Sequence, residues 1–184
     1  MESKNNQIQW EKIVHAIADE RDEEAFKTLF LYFYDDLTHF STSILRDETL
    51  AEDLVSELMA KIWFMGESLL KIKNIKTYLF IAIKNQSLNV VTKNKSASSL
   101  EIENNSFPSA PNPEEILISK ELTQRIEAAV DALPPKCSMA FTLVKDNACT
   151  YKEAATIMEV STNTIDRHIQ IALSRIQEAV EKIK

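Results

Sequence analysis

The chain has 184 residues, 45% of them hydrophobic and 27% charged, so it has the composition of an ordinary globular protein that can bury a core. It carries a formal net charge of −7 and one glycine, Gly66, where average usage of about 7% would give roughly thirteen. That glycine count excludes phosphate-cradling loops and dinucleotide fingerprints. It also disfavours tight hairpins, because no Asn-Gly or Asp-Gly pair occurs.

A chain poor in glycine and rich in Leu, Ile, Ala, Glu and Lys reads as all-α. The two cysteines, Cys137 and Cys149, read as reduced thiols and not as a disulfide framework. The polar N-terminus has no secretory pattern and no run of about 18 apolar residues occurs, so a cytoplasmic location is expected.

In chain order, Trp10, Ile13, Val14 and Ile17 fall on one helical face. Asp22-Glu23-Glu24 opens a second helix, with acids at its positive end, and its apolar set runs from Phe26 to Ile44. Arg46-Asp47-Glu48-Thr49 breaks the pattern. A third helix carries Leu50, Leu54, Val55, Leu58, Ile62 and Trp63 and stops near Gly66, a residue suited to a left-handed C-terminus. Asn74 caps a fourth, with Ile75, Tyr78, Leu79, Ala82, Ile83, Leu88 and Val91 as its apolar set.

Periodicity then fails across a Ser/Asn/Pro-rich stretch, read as a flexible linker over 96–112. Asn112-Pro113-Glu114-Glu115 signals a new helix start. Helices over Pro135–Lys145, Tyr151–Met158 and Thr162–Ile183 follow. The expected architecture is two small helical domains, 1–95 and 113–184, joined by that linker.

The charge is segmented. Acids far outnumber Arg21, Lys27 and Arg46 from Asp19 to Glu57. No acid occurs from Ser68 to Leu100, a segment that holds Lys71, Lys73, Lys76, Lys84, Lys93 and Lys95. The overall acidity therefore does not exclude a nucleic-acid partner.

Residues 150–169 have helix-turn-helix spacing: a helix capped by Thr150, a corner at Glu159-Val160 and a second helix capped by Ser161. Ala155 is small where the helices would cross. Ile165, Ile169, Ala172, Leu173 and Ile176 form the second helix's apolar face. Thr162, Asn163, Thr164, Arg167 and Gln170 lie off that face, where Asn and Gln can pair with adenine and Arg with guanine or phosphate. Arg175 is placed for the backbone. Glu159 occupies the corner that glycine usually fills, and a left-handed backbone there costs a non-glycine about 1 kcal/mol. His15, His39 and His168 show no ligand spacing and no Glu-x-x-His occurs, so neither a metal nor a cofactor is expected. His168 reads as a packing or phosphate-facing residue.

The ordered set of segments resembles an extracytoplasmic-function (ECF) sigma factor, the two-domain initiation subunit of RNA polymerase. The resemblance rests on Asp22–Phe30, on Leu50-Ala-Glu-Asp-Leu-Val-Ser-Glu-Leu-Met-Ala-Lys-Ile-Trp63, on Ile75–Asn85, on Leu133-Pro-Pro-Lys-Cys137, on Tyr151-Lys-Glu-Ala-Ala155 and on Ser161-Thr-Asn-Thr-Ile165.

It implies a region-2-like domain over 1–95 and a region-4-like helix-turn-helix domain over 113–184. Glu52, Asp53, Ser56 and Glu57 would dock on core polymerase. Lys71, Lys73, Asn74, Lys76, Tyr78, Lys84, Asn85, Asn89, Lys93 and Lys95 would line the opened −10 strand, and the loop from Gly66 to Asn74 would hold a flipped base. Thr150, Ser161, Thr162, Asn163, Thr164, Arg167, Gln170 and Arg175 would meet −35 duplex. Tyr78 fits the core equally well. Where the family carries arginines and an Asp, this chain has Thr92, Lys93, Lys95 and Asn89.

The resemblance further implies core polymerase, promoter DNA and an anti-sigma protein as partners, and no catalytic residues. A stand-alone helix-turn-helix regulator with a helical sensing or dimerising domain is the alternative. It accounts for 113–184 but gives no reason for an acidic helix followed by an acid-free lysine segment. A helical adaptor without nucleic acid ranks third.

Overall fold

The computed structural model describes residues 10–97 and 125–181, the side chains of 95–97 excepted. Among the described residues every regular element is helical. Of the linker expected over 96–112, residues 96 and 97 are the end of helix α4 and the rest, with the helix start at Asn112-Pro113, lies outside them.

Helix α1 spans residues 10–20 and widens into a π-wound end at Ala16–Glu20. Helix α2 is Glu23–Leu45, α3 is Glu48–Phe64 and α4 is Ile75–Ala97. Helix α5 is described over 125–131. Helix α6 is Pro135–Phe141 and runs into a π-wound turn at Thr142–Asp146, a shape that uniform 3.6-residue spacing does not foretell. Helices α7 and α8 are Tyr151–Met158 and Thr162–Glu181.

The helix starts are set by side chains that satisfy orphaned backbone N–H groups. Asp22 accepts from Glu24 N and Ala25 N at 2.9 and 3.0 Å. Asp47 accepts from Leu50 N at 3.0 Å, and Asn74 from Thr77 N at 2.9 Å. Thr150 and Glu153 close a capping box at the head of α7.

The helix ends are more unusual. With one glycine available, four other residues among those described take up left-handed backbone: Arg21, Arg46, Ala148 and Glu159. Gly66 also has positive φ (54°), as its place after α3 predicts. The chain beyond it winds as a 3₁₀ helix, Gly66–Lys71, with Leu69 fully buried, where the sequence suggests an open loop.

Helix α2 is the central strut, packed against α3 and α4 and also against α6 and its π turn. Phe33, Phe40 and Phe80 are fully buried, and Phe40 and Phe80 lie 5.5 Å apart across α2 and α4. Helix α7 packs on both α4 and α8. One contiguous apolar cluster therefore runs from Val14 and Leu29 through Ile83 to Leu143, Ile157 and Ile169. Two residues assigned to apolar faces from spacing are substantially exposed, Leu88 (38%) and Leu173 (46%). Each directly follows a fully buried residue, Ser87 and Ala172, so the covered stripe at those turns is narrower than the spacing suggests.

Candidate nucleic-acid interface

The acidic face comes from α3. Ala51, Val55, Leu58 and Ile62 turn inward and bury fully, which leaves Glu52, Asp53, Ser56 and Glu57 together on the outer side, all exposed. None of the three carboxylates forms an ion pair among the described residues. Trp63, at the end of the helix, packs on Phe26 with ring centroids 5.1 Å apart. The Arg21 guanidinium lies over Trp63 and donates to its carbonyl at 3.2 Å.

The lysine segment divides into two groups. Lys71, Lys73, Asn85, Asn89 and Lys93 are exposed, whereas the side chain of Lys95 lies outside the described residues. Asn74 is exposed but spends its carboxamide oxygen capping α4. Tyr78 is half-buried, its hydroxyl 3.8 Å from Met65 Sδ.

Lys76 and Lys84 turn toward the C-terminal helices. Lys76 Nζ donates to the Asn147 carbonyl at 3.1 Å. Lys84 is only 6% exposed, and its Nζ donates to the Ile157 carbonyl at 2.8 Å and to Glu159 Oε1 at 2.7 Å. The sequence places Lys84 on a DNA-facing surface, but in this structure it is buried between α4 and the corner after α7. The reason is tertiary: α7 covers the turn of α4 from which this side chain projects.

The helix-turn-helix is built as its spacing predicts. Ala155 is buried where α7 meets α8, in one apolar cluster with Ile165 and Ile169, while Ala172 is buried against Leu133 and Cys137. Glu159 takes left-handed backbone at φ 57°, ψ 43°. Val160 N donates to the Ala155 carbonyl at 3.0 Å and Glu159 N to the Thr156 carbonyl at 3.3 Å, the paired bonds of a Schellman ending.

Ser161 caps α8, accepting from Thr164 N at 3.1 Å, and its hydroxyl also meets that of Thr164 at 2.8 Å. Thr162, Asn163 and Arg167 are exposed at the head of α8. Gln170 is exposed, with its amide donating to Asp166 Oδ2 at 2.8 Å. Arg175 reaches the Ala132 carbonyl at 3.4 Å, which ties α8 to the end of α5. Thr150, Ser161 and Thr164 are thus engaged in shaping the motif, while Thr162, Asn163 and Arg167 present groups outward.

His168 is half-buried, and its Nδ1 lies 3.5 Å from Cys137 Sγ. Burial, with the cationic Lys136 and Arg167 nearby, holds its imidazole below the ordinary histidine pKa. Burial raises the Cys137 thiol against the lowering influence of Arg175, and pushes Cys149 up to about 11. Both cysteines are free thiols held protonated, as their lack of disulfide spacing implies.

Residue spacing gave no sign of two contacts in the seam between the N- and C-terminal helices. Arg46 donates to Asp131 Oδ1 at 2.9 Å and to its carbonyl at 2.8 Å. Asn147 Nδ2 donates to the Asp36 carbonyl at 3.2 Å. Both link residues far apart in the chain, so no local signal could have found them. The four left-handed positions are visible in the sequence only as helix endings without glycine.

Two family models match the chain: Sigma-70 region 2 over residues 29–97, and Sigma-70, region 4 over residues 123–176. The ECF RNA polymerase sigma factor RpoE of Cereibacter sphaeroides is 22% identical over 182 residues, 97% of this chain and 98% of that one. The ECF RNA polymerase sigma-E factor of Escherichia coli is 32% identical over 72 residues, 39% of this chain and 38% of its own.

Two solved structures share the fold. The sigma factor RpoE in complex with the anti-sigma factor NepR, from Bartonella quintana, superposes with a TM-score of 0.67 at 24% identity, covering 86% of this chain and 98% of that one. CnrH in complex with the cytosolic domain of CnrY gives 0.66 at 14% identity, over 96% and 99%.

Proposed function

The chain belongs to the ECF group of sigma-70 factors, and on that premise we propose that it directs core RNA polymerase to its promoters, dividing the task among three surfaces. Glu52, Asp53, Ser56 and Glu57 on α3 dock on the core enzyme. The lysines and asparagines of the 3₁₀ segment and α4 hold the opened −10 strand, supplying phosphate contacts that carry affinity without reading sequence. Thr162, Asn163 and Arg167 at the head of α8 enter the major groove of the −35 duplex. The domains run over 1–95 and 113–184, with 96–112 as a linker that crosses the polymerase.

One observation carries this reading: an acidic face, an acid-free lysine segment and a helix-turn-helix occur in that order, with Glu52, Asp53, Ser56 and Glu57, then Lys71, Lys73 and Lys93, then Thr162, Asn163 and Arg167 exposed. A stand-alone regulator needs only the third. The protein acts at the polymerase without catalytic residues of its own, and works in the cytoplasm. No described helix is long and apolar enough to cross a membrane. Because both structural neighbours are complexes with partner proteins, one named an anti-sigma factor, an anti-sigma partner is part of the proposal.

In vitro transcription with core polymerase, this protein and a genomic promoter library is the test. Promoter-specific initiation is expected. A dimer that binds palindromic duplex yet never supports initiation would replace this reading with the stand-alone regulator.

A further inference from the structure

The outward stripe of α8 carries Asn163, Arg167, Gln170 and Ser174, one above another at helical spacing and all exposed. Beside them stands Asp166, also exposed. A carboxylate on a helix that must lie against phosphates costs affinity. The usual structural reasons for one do not apply to it. Asp166 lies past the first turn of α8, where an acid would favour the positive end of the helix. It forms no ion pair among the described residues. Its carboxylate instead meets Gln170, whose Nε2 donates to Asp166 Oδ2 at 2.8 Å.

That bond decides which way the Gln170 carboxamide faces. An ionised carboxyl group only accepts, so the NH2 and not the oxygen turns toward it. Oε1 and the second N–H are left over, an acceptor beside a donor in fixed order. Adenine presents the complementary pair on its major-groove edge, the N6 donor beside the N7 acceptor. Guanine presents two acceptors there, so Oε1 would face a lone pair. An untethered glutamine can turn its amide over and bring an N–H to guanine or thymine as well. The tether therefore acts on discrimination between bases, by making the wrong partner costly.

We propose that Asp166 is a positioning residue for −35 readout: it fixes the carboxamide of Gln170 in the orientation that pairs with adenine, and so sets the base preference at the position Gln170 meets. The inference rests on the sigma-factor reading, in which α8 is the helix that enters the major groove. Asp166 does this without touching the base. The repulsion from its charge falls on every sequence alike, whereas the gain in discrimination falls at one base pair.

The test is selection from a pool of randomised duplex by the full-length chain, alone and with core polymerase, with the bound DNA sequenced. The wild type should enrich adenine over guanine at one position by roughly five-fold or more, the lower end for a bidentate base contact. Gln170→Ala should flatten that position and so identify it. Asp166→Asn should reduce the enrichment there to about two-fold or less while strengthening binding to all duplexes, because the acceptor-only tether and the negative charge are lost together. Asp166→Glu keeps both and should restore the preference. These substitutions fall at exposed positions, so melting temperatures should be unchanged.

An adenine preference that survives Asp166→Asn would overturn the proposal, as would a wild type with no preference for Gln170→Ala to remove. Promoter-specific initiation with core polymerase, assayed in parallel, separates the two readings. If it occurs and the preference is independent of Asp166, the sigma-factor reading stands and the positioning role falls. If it does not occur while the preference follows Asp166, the positioning role stands as a property of the helix-turn-helix and the sigma-factor reading falls.

Discussion

Gly66 and Glu159 occupy the same region of backbone space, and the contrast between them shows what a side chain does there. At Gly66 an added Cβ would meet nothing within 4 Å, so only φ (+54°) penalises a substitution. Gly66→Ala should therefore cost about 1 kcal/mol without repacking, measurable as a lower urea midpoint at unchanged slope. At Glu159 the comparable strain is accepted and the carboxylate reaches Lys84, which holds it below its ordinary pKa, chiefly by their hydrogen bond.

His168 makes a residue-scale prediction about pH. Its imidazole is held below the ordinary value by burial first and by Lys136 and Arg167 second. The unfolded chain then takes up the proton more readily than the folded one. Stability is full above the ordinary histidine range and declines as pH falls through it toward the folded value. Thermal melts across pH 5–8 should show that decline, and His168→Gln should flatten it.

Among the elements, α3 and α8 carry the proposed docking and −35 surfaces, and each helix's outward face was legible for the same reason. A helix with one strongly apolar stripe has only one way to face the core, so its polar residues are placed by exclusion. Asp53→Arg with Glu57→Arg changes only exposed positions, so co-purification with core polymerase should be lost while the melting temperature holds. Arg167→Ala should weaken −35 binding by about 1–3 kcal/mol, and more on promoter duplex than on unrelated duplex, when titrated by fluorescence anisotropy.

The capping residues Asn74, Thr150 and Ser161 were also readable, because a cap is a bond between near neighbours in sequence. The 3₁₀ turn after Gly66 and the π-wound turn after α6 were not. Their geometry answers to buried Leu69 and Leu143, whose surroundings come from other helices.

For the whole molecule, net charge and the inward turn of two lysines act in the same direction. The net charge of −7 repels DNA at long range, and two of the lysines that could offset it are turned inward. The free protein should bind promoter fragments weakly at physiological salt, and adding core polymerase should raise promoter affinity by orders of magnitude. An electrophoretic mobility series with and without the core enzyme checks this, and tight promoter-specific binding by the free chain would contradict it.

The sequence by itself determined the helical class, the order of the segments and the outward-facing polar residues of α3 and of the head of α8. These follow from periodicity, capping and charge segregation, all of which act within a few turns of chain. Only the tertiary structure decided which lysines are available. Whether Lys84 meets DNA or Glu159 depends on a contact between residues 75 positions apart, and no local preference encodes the partner of a side chain that far away. The scarcity of glycine, visible at once, had its physical meaning settled only by that contact: two of the helix ends without glycine carry charges that join the two halves of the molecule.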